Sequence, residues 1–303
     1  MEKLIKKFLY SLFTIVLAVS ALFFIIRLAP GDPVEKILGA EASAIEISDL
    51  RAQLGLDQSL IRQYTNFMMN VLKGEFGESL FKKKTVSSLL SAHMPATVIL
   101  AFTSISISAF IGTFLGIWAG FKNKKTFDNV GRIVSLFALS FPIFSLAPLL
   151  VLIFSIKLNI LPVSEWGSFK HVILPTLTLV IPLSSVLMRV SRNKYLEEVN
   201  VPWVQVLEAK GLSSIQILLR VTKVCLPTIL NVVAIQLSVV LAGTMITETI
   251  FDIPGMGMLL FEGIQNRDYP VVQGVIIYST VIYMLVYFLV DYLNEMIDPR
   301  IKS

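Results

Sequence analysis

The sequence predicts an all-α membrane protein with six transmembrane helices and both termini in the cytoplasm. Three observations carry that reading. Of 303 residues, 55% are hydrophobic and only 16% charged, and the mean hydropathy of +0.75 lies far above that of a soluble domain. Six apolar runs alternate with polar segments, and the first, residues 8–26, is free of charge and long enough to cross a hydrocarbon core of roughly 30 Å as a helix. With the N-terminus placed inside, the inner segments hold fifteen Lys and Arg, against three (Lys157, Lys170 and Arg267) in the two short outer loops, which is the sidedness that cationic loops impose. The net charge of +5 is therefore read as topology, with no nucleic-acid partner implied.

Taken in order, residues 1–29 form the N-terminal transmembrane helix. The apolar run behind Lys3, Lys6 and Lys7 exceeds a signal-peptide core, and Arg27, Leu28, Ala29 and Pro30 offer no small-x-small cleavage site. Residues 30–93 read as an external insert of amphipathic helical pieces, with Leu50, Leu54, Leu60, Ile61, Tyr64, Phe67, Met68 and Leu72 as the apolar positions and Gly55, Gly74 and Gly77 as the breaks. Its eight acidic and seven basic residues between Asp32 and Lys84 read as a solvated face. Residues 94–292 form the membrane-embedded core. Its second span, 96–121, carries Ser104, Ser108, Gly112, Gly116 and Gly120 at a spacing of four, small residues that let helices approach closely, here within one subunit rather than between two. The third span, 133–156, contains Pro142 and Pro148, and the fourth, 172–188, is shorter and broken by Pro175 and Pro182. The fifth and sixth spans follow at 224–247 and 269–290, and a cytoplasmic tail at 293–303.

The segment between the fourth and fifth spans, 189–224, is built as a surface. Pro202 suits a first helical turn, Trp203 to Lys210 supply about two turns, and Gly211 stops them. A second helix begins at once, because Ser213 and Gln216 have capping-box spacing. Val204, Val206 and Leu207 have little of their own chain nearby to cover them. Two coverings fit the pattern equally: a partner protein, or lipid headgroups.

Catalysis finds little support. The two histidines, His93 and His171, lie near membrane borders, and no zinc-type HExxH pair or GxSxG elbow occurs. The run 120–126, GFKNKKT, lacks the second glycine directly before the lysine of a phosphate loop and reads as a cationic loop. Cys225 is the single cysteine, too few for a disulfide or a cysteine-rich metal site. Neither a catalytic nor a metal or cofactor site is expected. The spans are nearly free of charge, with Glu248 and Asp291 only at their ends, which disfavours ion-coupled transport through buried carboxylates, and no internal repeat is evident. If the chain takes part in active transport, the energy comes from another polypeptide.

The segments EAKGLSSIQILLR, ETIFDIPGMGMLL, NRDYPVVQG and DPRIK, with APGDP and LRAQLGLDQ near the start, resemble the dipeptide, oligopeptide and nickel permeases of ATP-binding-cassette importers. The resemblance is to the subunit type with a long external insert after its first helix, and covers essentially the whole chain. It implies the type I ABC importer transmembrane fold in a bacterial plasma membrane. Gly211 would be the glycine of the family's cytoplasmic loop, and Trp203, Val204, Gln205, Val206, Leu207, Glu208, Ala209 and Lys210 the coupling helix that docks on an ATPase subunit. The chain departs from the pattern at Gln205, Val206 and Leu207, where such permeases in general have Glu-Ala-Ala, and its docking surface is less basic than that of the peptide branch. Implied partners are a second homologous permease, two ATPase subunits carrying ATP and Mg, an extracytoplasmic substrate-binding protein and membrane lipid. Peptide is the first-choice cargo, with nickel or a metal chelate as alternatives, and an ion-coupled secondary transporter is the rival of a different class. Outside, Pro254, Gly255 and Gly257 permit a tight turn, and Glu248 beside Thr247 suits the bundle interior or water. With Asp252 these residues are candidates for an external gate or path, the alternative being that they simply end the fifth span.

Overall fold

Where no water reaches the backbone, a chain must close its own N–H and C=O bonds, and the helix does so within one segment. The computed structural model describes residues 2–28, 33–39, 42–122 and 140–297. The described helices are α1 (Glu2–Leu28), α2 (Pro33–Leu38), α3 (Ala44–Gln53), α4 (Leu60–Lys73), α5 (Val86–Lys122), α6 (Ile143–Leu150, continued by a π-helical turn Val151–Lys157), α7 (Phe169–Val199), α8 (Pro202–Ala209), α9 (Ser214–Leu241), α10 (Met245–Ile250), α11 (Met256–Asn266) and α12 (Tyr269–Ile297). Among them α5, α7, α9 and α12 are long and apolar enough to cross a membrane, and Leu12–Leu28 and Ile143–Lys157 are shorter apolar helices. The chain divides into two compact units, one of residues 1–97, 242–245 and 254–284, the other of 98–241, 246–253 and 285–303.

In the first unit the insert folds onto the first helix. The apolar face of α4 lays Tyr64 and Phe67 on Phe23 of α1, ring centroids 5.4 and 5.3 Å apart, and Phe23 is fully buried. The breaks expected at Gly55, Gly74 and Gly77 all have positive φ. Ser43 starts α3 through a reciprocal box: its hydroxyl accepts from the Glu46 N–H, and its own N–H donates to Glu46 Oε2 at 2.9 Å. The Ser43 hydroxyl and N–H hold the exposed Glu46 carboxyl below its ordinary range. A second core joins Val86 and Leu89 of α5, Met256 and Leu259 of α11, and Val271 and Val275 of α12. Above it, Ser79 Oγ donates to Asp268 Oδ2 at 2.5 Å and the Leu80 N–H to Oδ1 at 3.3 Å. The second long helix starts at Val86, ten residues before the expected span, and runs through Pro95.

The second unit is organised by a close helix pair. A Cβ on Gly112 would stand 2.7 Å from Leu187 Cβ, one on Gly116 would stand 2.8 Å from Ser191 Cβ and strike the Met188 carbonyl, and one on Gly120 would stand 2.8 Å from the Tyr195 ring. The small-residue stripe therefore packs α5 on α7 within the chain, and Ser104 and Ser108 on the same stripe are fully buried. The adjoining core holds Leu187 and Tyr195 of α7, Val204 of α8, and Ile217, Val221, Cys225 and Ile229 of α9.

Three expectations about the spans are corrected. The fourth is a continuous 31-residue helix with Pro175 and Pro182 inside it. Close to Pro182 the Ile181 carbonyl also accepts from Ser185 Oγ at 2.8 Å, and the Leu183 carbonyl from Gln236 Nε2 of α9 at 3.1 Å, which ties this part of the helix to its neighbour; proline is tolerated inside membrane helices. In the third, Pro142 does not lie inside a helix but caps α6 in an extended conformation, whereas Pro148 is inside; residues 123–139 lie outside the described residues. The fifth ends at Leu241 rather than 247. Gly243 takes φ +111 and lies so close to Gly257 that a Cβ would be 2.6 Å from its nitrogen, so the helix gives way to a backbone crossing.

Candidate functional site

The surface segment forms as its residues dictate. Val201 is the extended cap of α8, Pro202 occupies its first turn, and Lys210 closes it. Gly211 then takes φ +77 with nothing near the site of a Cβ, so glycine is required by conformation and not by space. The Leu212 N–H returns to the Leu207 carbonyl at 3.2 Å. Ser213 donates its N–H to Gln216 Oε1 at 2.9 Å and accepts from the Gln216 N–H at 3.4 Å, which starts α9.

The two faces of α8 differ. Val204 is 1% exposed and sits in the core with Tyr195, Ile217 and Val221, and Trp203 and Leu207 pack partly against it. The expectation that Val204 and Leu207 lack a cover is corrected: α7 and α9 supply one. The outward face is Gln205, Val206 (51% exposed), Glu208, Ala209 and Lys210. A cleft of about 410 Å³ beside it is lined by Gly120, Asn200, Gln205, Glu208 and Ser214 among others. On the end of α7, Lys194 pairs with Glu198 at 2.8 Å and Glu197 at 3.4 Å.

Of the outer candidates, Thr247, Glu248 and Asp252 fall together. Thr247 and Glu248 are 1% and 0% exposed on α10, and their carbonyls accept from the Phe251 N–H at 3.1 Å and the Ile253 N–H at 2.8 Å. Asp252 has φ +52, and the Phe251 carbonyl accepts from the Glu165 N–H at 3.0 Å. Glu248 thus lies on a helix of its own, not at the end of the fifth span. Pro254, Gly255 and Gly257 belong to the other unit. The tight turn expected of them lies earlier, at Phe251 and Asp252; Gly255 caps α11 in an extended conformation, and Gly257 is in that helix's first turn, facing Gly243.

One cluster escaped the reading of the sequence. Arg27, at the end of α1, donates from Nε to Gln63 Oε1 at 2.7 Å, and its guanidinium lies 4.1 Å from the Phe23 ring centroid and 5.7 Å from that of Tyr269. Gln63 is fixed in turn, donating from Nε2 to the Gln58 carbonyl at 2.8 Å. A cation directly after an apolar run was the available signal; its partners lie 36 and 242 residues away and leave no local trace.

A family model described as binding-protein-dependent transport system inner membrane component matches residues 112–303, and its N-terminal companion matches residues 1–101. A protein named probable peptide ABC transporter permease protein y4tP, from Sinorhizobium fredii, is 33% identical over 290 residues, 93% of each chain. The glutathione transport system permease protein GsiC of Salmonella choleraesuis is 32% identical over 300 residues, 98% of each chain. Among solved structures, a chain of the MetNI methionine ABC transporter in an inward-facing conformation superposes with a TM-score of 0.59 at 18% identity, covering 70% of this chain and 97% of that one, which establishes a shared helical fold. Apolar helices in number, a family model over most of the length and relatives aligned over more than nine-tenths of both chains agree, and the chain belongs to the binding-protein-dependent transport system inner membrane components, the multi-pass permease subunits of bacterial ATP-binding-cassette importers.

Proposed function

We propose that this chain forms half of the translocation path of a peptide importer and takes its power stroke through α8. Six helices cross the membrane, the termini and α8 face the cytoplasm, and residues 30–93 face outward to a substrate-binding protein. A second, homologous permease completes the path, and two ATPase subunits hold the ATP and Mg. Peptide is the preferred cargo because relatives named for peptide and glutathione transport align over nearly the full length.

The observation that carries the coupling role is the division of α8 into a buried and an exposed face. Val204 is locked against α7 and α9 while Gln205, Val206 and Glu208 stand free. A load applied to the outer face therefore passes to both long helices, because a packed core transmits displacement and does not absorb it. From α7 it reaches α5 across the Gly112, Gly116 and Gly120 contacts, where backbones are too close to slip independently. On ATP-driven closure of the ATPases these helices would shift together and switch the path between inward and outward access. Thr247, Glu248 and Asp252, with Pro254, Gly255 and Gly257, are the candidates for the outer gate.

Gentle purification of the tagged chain tests the reading. A second permease and ATPases are expected to come with it. Val206→Asp with Glu208→Lys alters only exposed positions and should release the ATPases while the permease pair persists. Retention of the ATPases by that variant, or a chain that purifies alone with uptake intact, overturns the coupling assignment.

A further inference from the structure

We propose that the cavity between α1, α4 and the start of α12 is a binding site for a small monocarboxylate. The cavity measures about 210 Å³ and is lined by Arg27, Gln273, Gln58, Asn66, Asn70 and Glu75 among others. Two of its donors stand without acceptors. Arg27 Nη1 and Gln273 Nε2 are both buried and lack a hydrogen-bond partner, and Gln273 is only 7% exposed. Both belong to the same compact unit.

The chemistry selects the ligand. Arg27 is held in place by a neutral acceptor, Gln63, and by the faces of Phe23 and Tyr269, none of which removes its charge. Among the described residues no carboxylate pairs with Arg27; a half-buried guanidinium in that state is costly, and a water molecule would occupy Nη1 but leave its charge in place. A carboxylate satisfies the donor and neutralises the charge, and its planar pair of oxygens matches guanidinium geometry, so that one can also accept from a carboxamide such as Gln273. Glu75 sits exposed on the lining and adds one negative charge beside the single cation, which disfavours a doubly charged anion such as phosphate. The neutral amides of Gln58, Asn66 and Asn70 suit a polar ligand of one charge. A free carboxylate and the C-terminal carboxylate of a peptide cargo share this chemistry.

The test uses the purified importer complex in nanodiscs and acetate as the probe, followed by saturation-transfer NMR at constant ionic strength. Wild type should show saturable acetate binding that Gln273→Leu weakens at least fivefold and Arg27→Gln abolishes. Gln273→Leu removes an unpartnered buried amide, so its folding is expected to be intact even if Arg27→Gln destabilises the fold. Binding should be unchanged in Lys82→Gln, a cation outside the cavity lining. Absence of saturable binding in wild type, equal binding in Gln273→Leu, equal competition by chloride, or acetate binding that appears only in Glu75→Gln each overturns the proposal. Displacement of acetate by a dipeptide but not by its C-terminal amide identifies cargo as the source, and displacement by neither identifies a free carboxylate. Acetate binding is read without transport, so its loss is distinguishable from failure of the peptide-importer reading.

Discussion

At the residue scale the tightest constraint is Gly116, where α5 meets α7. A methyl group there would strike the Met188 carbonyl and stand 2.8 Å from Ser191 Cβ, and neither neighbour is the free end of a flexible chain. Gly116→Ala should therefore destabilise the fold by about 1–3 kcal/mol, read as a lowered thermal midpoint of the purified protein. Phe114→Ala on the exposed side of the same helix should cost much less. The stripe itself was legible in the sequence because small residues at a spacing of four mark one helix face. Val204 was not: an eight-residue helix shows a period but not which of its sides a distant neighbour will cover. Arg27 and Gln273 were illegible for the same reason, since their meaning lies in a cavity assembled from segments more than 200 residues apart.

Helix starts were the most readable of the elements, because the signals are local. Pro202, Gly211, and Ser213 with Gln216 act where they stand. Helix ends inside apolar sequence were the least readable. Leu241 is followed by Ala242, Gly243 and Thr244, but glycines at 112, 116 and 120 lie inside α5; what makes Gly243 a break is its positive φ and its close approach to Gly257. Prolines misled in the opposite sense, since α7 runs unbroken with both Pro175 and Pro182 inside it. The Ser43–Glu46 box carries a prediction of its own. Glu46 has its folded pKa lowered by Ser43, so its contribution to α3 is fully present above the ordinary glutamate value of about 4.3 and is lost as pH falls through the lowered folded value. Amide exchange over residues 44–50 should accelerate, relative to α4, on acidification through that window. Ser43→Ala should show the faster exchange already at neutral pH and a flatter pH response.

For the whole molecule, the all-helical class and the four long apolar helices α5, α7, α9 and α12 followed from hydropathy, and the family from motifs spread along the full length. The assignment of sides is open to direct measurement. Cys225 is fully buried and can stay in place as a silent background. Lys210→Cys, on the exposed end of α8, should react with a membrane-impermeant maleimide only after the cells are opened. Lys73→Cys, exposed at the end of α4, should react in intact spheroplasts. The reverse pattern would invert the molecule and remove α8 from reach of any cytoplasmic ATPase.

The first compact unit gathers its pieces from residues 1–97, 242–245 and 254–284. Ser79 finds its acceptor only at Asp268, and Val86 and Leu89 find their core partners only in α11 and α12. During synthesis the early segment must therefore wait, incompletely satisfied, until most of the chain has left the ribosome. A stalled or truncated product would present Val86, Leu89 and the buried Ser79 uncovered, a mark by which membrane quality control can tell an unfinished permease from a finished one.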